Sequence, residues 1–139
     1  MIRLRLKSTI MKKYLILFLK IIAAIIMLQT LFYKFTGAQE SIDLFTKLAG
    51  ENEAYMRIGT GILELIASIF LLIPKTTWFG ALMTFGLMSG AVFSHLTKLG
   101  ISHNNDGGVL FGAALITLFI GAFVLYKERK NIPILGEKL

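Results

Sequence analysis

The sequence predicts an all-α fold: an integral membrane antiparallel four-helix bundle with its N and C termini cytoplasmic. Three observations carry this prediction. Of 139 residues, 55% are hydrophobic and 17% charged, with a mean hydropathy of +0.72, more apolar than a soluble domain of this size needs for its core. Four apolar segments approach the roughly 20 residues with which a helix crosses about 30 Å of hydrocarbon. Lysine and arginine gather on alternate sides of those segments.

Taken in order, the chain opens with a basic segment, residues 1–13, holding Arg3, Arg5, Lys7, Lys12 and Lys13. Met11 begins an ordinary MKK start, so residues 1–10 read as a translated extension, disordered or absent in the native protein. The first span is 14–33, YLILFLKIIAAIIMLQTLFY. A charged start and an apolar body also describe a secretory signal. The apolar run is too long for a signal core, however, and FTGAQE is a poor small-residue cleavage site, so the helix is expected to be retained. Lys20 is expected to snorkel to the inner interface.

The following connection contains SIDLFTKLAG, which places Ile42, Phe45 and Leu48 at helical spacing and predicts a short interfacial helix. The second span is 55–73, and Pro74 closes it into a tight hairpin with the third, 78–96. SHNNDGG then supplies turn residues, with Asp106 as the cap of the fourth span, 109–126. A basic tail, 127–139, completes a single four-helix domain at 14–126 without an internal repeat. The basic ends and Lys75 in the hairpin orient both termini inward by the positive-inside rule. That makes the chain a multi-pass protein of the inner (plasma) membrane, with the lipid bilayer as its first partner.

Helices in a bilayer associate through small residues and polar contacts, because lipid tails are as apolar as leucine. Gly86 and Gly90 on the third span, Gly108 and Gly112 on the fourth, and Gly61 on the second are therefore candidate packing positions, although glycine is also simply common in membrane helices. Whether such a contact lies within one chain or builds a homo-oligomer stays open at this point.

Polar groups within the spans need a reason. Arg57, Gly61, Glu64 and Ser68 form a narrow stripe on the second helix, with Glu64 at its midpoint. A charge there costs at least about 2.5 to 3.5 kcal/mol on insertion scales, so it is expected to face the bundle and be paired or protonated. Arg57 is two turns away, roughly 10 Å, which is long for a direct bond without a bridging group. His95 ends the third span at the depth of Arg57, and Gln29, Thr30, Tyr33 and Lys34 end the first. Together these residues predict an outward-facing polar pocket walled by the first three helices. Plainer roles also exist: Lys34 and Arg57 as interface anchors, and His95 as a helix-end cap.

Several classes are excluded. With no cysteine there is no disulfide, thiolate site or thiol relay. His95, His103 and Asp106 match no compact ligand motif, so no metal is expected, and a haem between helices is disfavoured because one of the two histidines lies in a loop. Phosphate loops, HExxH and GxSxG are missing. The net charge of +7 sits at the chain ends rather than on a basic face, which excludes nucleic acid as a partner.

The combination of LFYKFTG, GILELIASIFLLIP and WFGALMTFGLMSGAVFSHL resembles the DoxX family of small four-helix membrane proteins, from Leu15 to Tyr126. The resemblance implies that Lys34 is the lysine closing the family's first helix, Glu64 and Gly61 the pair of its G-x-x-E-L second helix, and His95 the histidine ending its third. Named members of the family are associated with thiosulfate:quinone oxidoreduction and with membrane oxidoreductase complexes. By resemblance this chain would be the membrane subunit of a quinone-linked or sulfur-compound-linked oxidoreductase system. It carries no evident intrinsic cofactor, so quinone would be the bound group and an oxidoreductase partner subunit would bring the electron transfer. In that reading Glu64 and His95 are the catalytic candidates, as proton acceptor and proton-exchanging group. Arg57, Lys34, Gln29, Tyr33 and Ser68 are the ligand-binding candidates. A non-catalytic assembly module is the alternative; a small transporter is a weaker one, because no helix is visibly broken.

Overall fold

A computed structural model describes residues 1–138. It is all-α, and its four long helices are each long and apolar enough to cross a membrane. Helix α1 (Ile2–Gln29) is followed, after Thr30, by the short α2 (Leu31–Thr36). Gly37, at φ 68°, ends α2 in the left-handed region that glycine tolerates best. α3 (Gln39–Ala49) and a 3₁₀ turn at Gly50–Asn52 lead into α4 (Glu53–Leu72). Pro74–Thr76 turns the chain into α5 (Thr77–Ser94), which relaxes into one π turn at His95–Leu99. α6 (Val109–Glu128) returns, and 3₁₀ turns at Arg129–Asn131 and Gly136–Lys138 follow it.

Residues 2–10, expected as a disordered or dispensable extension, are instead a continuous and exposed part of α1. Neither glycine nor proline interrupts the sequence from Ile2 to Gln29, so a helix nucleated in the apolar run propagates back through the basic segment.

The long helices close a ring in which α1 packs on α4, α4 on α5, α5 on α6 and α6 on α1. Antiparallel order puts both termini at one end and the α3 and 95–108 connections at the other. The core interleaves alanine with larger side chains: Ala23 and Met27, Ala67 and Leu71, Ala81 and Met88, Ala114 and Val124. Buried threonines meet their hydrogen-bonding needs within the fold. Thr84 donates to the Gly80 carbonyl and Thr117 to that of Ala113, each one turn back, while Thr77 caps the hairpin on the Leu71 and Ile73 carbonyls. Lys20 is buried, and its Nζ reaches toward the hairpin end of the bundle, donating to Thr77 Oγ1 at 3.4 Å.

Backbones approach closely at glycines other than most of those singled out by spacing. A Cβ on Gly80 would overlap the backbone of Leu71, and one on Gly121 would come within 3.1 Å of Thr84 Cγ2 and 3.2 Å of the Phe85 nitrogen. Gly61 does pack, against the Phe35 ring. At Gly86, Gly90 and Gly112 a Cβ would meet nothing within 4 Å, and Gly108 serves a turn at φ 86°. The buried face of α5 runs through Gly80, Thr84 and Met88, so Gly86 and Gly90 are rotated off it.

Alanine at Gly80 and at Gly90 separates the two kinds of glycine. Gly80→Ala is expected to cost about 1–3 kcal/mol through overpacking against Leu71, whereas Gly90→Ala should be neutral or stabilising because alanine is the better helix former. Equal losses in chemical unfolding in detergent would refute the assignment of the close contact.

Candidate functional site

The site begins at the junction of α1 and α2. Thr30 and Lys34 are four residues apart and therefore stacked on one helix face. Lys34 Nζ donates to Thr30 Oγ1 at 2.7 Å and to Glu64 Oε2 at 2.8 Å, in a buried ion pair. The Thr30 hydroxyl lies 3.2 Å from the same carboxylate oxygen and 2.8 Å from the Met27 carbonyl, and its single proton serves one of them at a time. Glu64 thus meets a cation at the middle of its helix, and the pair brings no net charge into the apolar interior.

Arg57 does not reach Glu64. Its Nε donates to Glu53 Oε2 at 2.9 Å, and its Nη1 donates to the backbone carbonyl of Lys34. A guanidinium there satisfies a carbonyl in the last turn of α2, where the helix has run out of amide donors. Lys34 lies between the two, held by Arg57 through its main chain and bound to Glu64 through its side chain.

Beside this pair lies a cavity of about 740 Å³. Gln29 and Tyr33 line it from the first helices, Leu44 and Phe45 from α3, Met88 and His95 from α5 and the π turn, and Leu110 and Ala113 from α6. One expectation changes here. The fourth long helix is a wall of the pocket, because the α5–α6 connection carries the start of α6 over it. The short helix expected in the first connection is present as α3, packed on α4 with Phe45 buried and lining the cavity. Gly86 and Gly90 line the space, and their missing side chains help keep it open.

The structure places the other sequence candidates as follows. Glu64, Lys34, His95, Gln29 and Tyr33 line the cavity; Arg57 and Ser68 do not. Ser68 is buried and donates to the Glu64 carbonyl at 2.8 Å, so it supports the helix and does not face a ligand. His95 is buried, with Nδ1 2.9 Å from the Gly100 carbonyl and its ring edge-on to Phe111. A carbonyl only accepts, so Nδ1 carries a proton, and Nε2 is the ring nitrogen left to exchange one.

Three residues matter more than their sequence signal indicated. Glu53 reads as one acidic loop residue but neutralises Arg57. Thr30, counted in the polar set only by its depth, meets both Lys34 Nζ and Glu64 Oε2. His103, set aside as a loop residue, lines the cavity and is buried. Asp106 organises that loop: its carboxylate accepts from the backbone nitrogens of His103, Gly108 and Leu110. Desolvation opposes its ionisation, but those three donors and the nearby His103 outweigh it and hold the Asp106 carboxyl below its ordinary value.

The sequence profile of the DoxX family matches residues 15–97, a stretch that includes Lys34, Glu64 and His95 and stops short of His103. No curated protein and no solved structure matches the chain.

The ion pair predicts strong coupling. Lys34→Met and Glu64→Gln should each destabilise the protein by about 3–5 kcal/mol, since each strands a buried charge. The double variant should lose clearly less than the sum of the two. Additive losses in a double-mutant cycle of unfolding in detergent would show that the pair does not act as a unit.

Proposed function

The chain belongs to the DoxX family and is a multi-pass membrane protein, and we propose that it is the membrane subunit of a quinone-linked oxidoreductase system, holding a quinone-like headgroup in the cavity beside Lys34 and Glu64. The observation that carries this reading is a buried, charge-compensated donor–acceptor pair on the wall of a largely apolar cavity.

Electrostatics favours a neutral head over a small sulfur anion. An anion would need uncompensated cations, yet Lys34 is matched by Glu64 and Arg57 by Glu53. A neutral ring finds apolar walls, a lysine N–H for a carbonyl oxygen, and the Glu64 carboxylate and His95 Nε2 as acceptors for a hydroxyl. Reduction of a quinone to a quinol takes two electrons and two protons. The chain has no cysteine or cofactor motif to supply electrons, so these come from a partner subunit, and Glu64 and His95 exchange the protons.

The fold test above supplies the variant to use. Lys34→Met/Glu64→Gln, the altered form expected to retain most stability, should bind decylubiquinone at least about tenfold more weakly than wild type in nanodiscs, in keeping with two lost hydrogen bonds to charged groups. Unchanged binding together with unchanged quinone reduction in membranes would overturn these roles. The completeness of both ion pairs within one chain favours a second reading, a non-catalytic assembly module. That reading expects no quinone binding by wild type and loss of copurifying subunits in the double variant.

We place the termini on the cytoplasmic side of the plasma membrane, because the exposed basic residues of 2–13 and Lys127, Arg129 and Lys130 share one end of the bundle. The cavity then opens in the outer half. A reporter inserted at Asn105 should be active outside and one fused after Leu139 inside; the opposite pattern would reverse the assignment.

A further inference from the structure

We infer that His103 is a second contact point for the cavity's ligand, and that the site therefore selects a headgroup with two oxygens over one with a single oxygen. The inference rests on the cavity reading above and adds to it a residue outside the family match.

The loop from Ser102 to Gly108 is built to turn one side chain inward. Asn104 and Asn105, at φ 51° and 59°, and Gly107 and Gly108, at 66° and 86°, wind the backbone through left-handed conformations. Asp106 locks that course by accepting from the main chain on both sides, at His103 and at Gly108 and Leu110. Ser102, Asn104 and Asn105 are exposed as polar loop residues should be, yet His103 between them is only 3% exposed and lines the cavity.

Its ring is unsatisfied. Nδ1 and Nε2 of His103 are the two buried side-chain polar atoms that lack a hydrogen-bond partner among the described residues. Leaving such a group unpaired costs about 1–3 kcal/mol, and solvent would have removed that cost had the ring pointed outward. A neutral imidazole offers one N–H and one lone pair, the complement of a hydroxyl or of a carbonyl.

The cavity then holds the Lys34–Glu64 pair between the helices and His103 in the connecting loop as two polar stations, with His95, Gln29 and Tyr33 also on its walls. A para-substituted ring with an oxygen at each edge engages both; a ring with one oxygen leaves one station unpaired.

The test compares decylhydroquinone with 4-decylphenol by calorimetry on the full chain in nanodiscs. Wild type should prefer the hydroquinone by about 3- to 10-fold, the worth of one hydrogen bond. His103→Phe should weaken that preference at least about twofold, and His103→Gln, which keeps an N–H and an acceptor, should restore part of it. The chain has two histidines, so ¹⁵N-imidazole spectra of the wild type show two rings, that of His95 marked by its Nδ1 hydrogen bond to the Gly100 carbonyl, and the His103 signal stands even if a variant misfolds. Its ring signal should move on addition of the hydroquinone. If both probes bind while that signal stays still and His103→Phe keeps the preference, His103 is held by water or is inert, and the inference fails with the cavity reading intact. If neither probe binds wild type, the cavity reading fails and takes the inference with it.

Discussion

A carboxylate at the middle of an apolar helix is the constraint to which the loop half of this protein is fitted. Glu64 requires a cation, and Lys34 comes to it from the last turn of a broken first helix. That turn is secured at its end by Gly37, by the Arg57 guanidinium on the Lys34 carbonyl, and by Glu53, which returns charge balance to Arg57. Phe35 seats on Gly61, one turn from Glu64 on α4. The result is a chain of contacts in which an arginine acts through a backbone, a lysine through its side chain, and no charge is left alone in a medium that solvates it poorly.

The bundle accordingly has two characters. Toward the termini it is tight: Gly80 lies against the Leu71 backbone, Gly121 against Thr84 and Phe85, and Ala67, Ala81 and Val124 are fully buried. Toward the connecting loops the helices part around the cavity, with Gly86 and Gly90 facing open space and α3 laid across with Phe45 inward. Close packing at small residues holds one half together where the hydrophobic effect between helices is weak. That leaves the other half free to enclose a ligand-sized volume lined by the polar side chains.

Much of the site was legible, and the misreadings share a cause. The stripe of Arg57, Gly61, Glu64 and Ser68 turns inward as helical geometry requires, and all four residues are buried. Spacing alone could not distinguish Ser68, tied to its own helix, from Glu64, which faces the cavity. Gly86 and Gly90 had the spacing of a packing motif, but their face is chosen by the rotation of α5, which Thr84 and Met88 direct into the core. The partner of Lys20, the Thr77 hydroxyl, depends on how the hairpin sits against α1.

By itself the sequence determined what is periodic or additive: the number of spans, the tight hairpin at Pro74, the inward stripe on the second long helix, and the necessity that Glu64 find a partner. Apolar length and the cost of buried charge depend on composition and on residues close along one helix, so they can be read from the chain. Only the tertiary structure decided which cation answers Glu64, which glycines touch a neighbour, and that a loop histidine turns into the cavity. Those outcomes rest on the relative rotation and separation of helices far apart in sequence, and a single backbone lock, such as Asp106 on its loop, can reverse the direction in which a polar side chain would otherwise point.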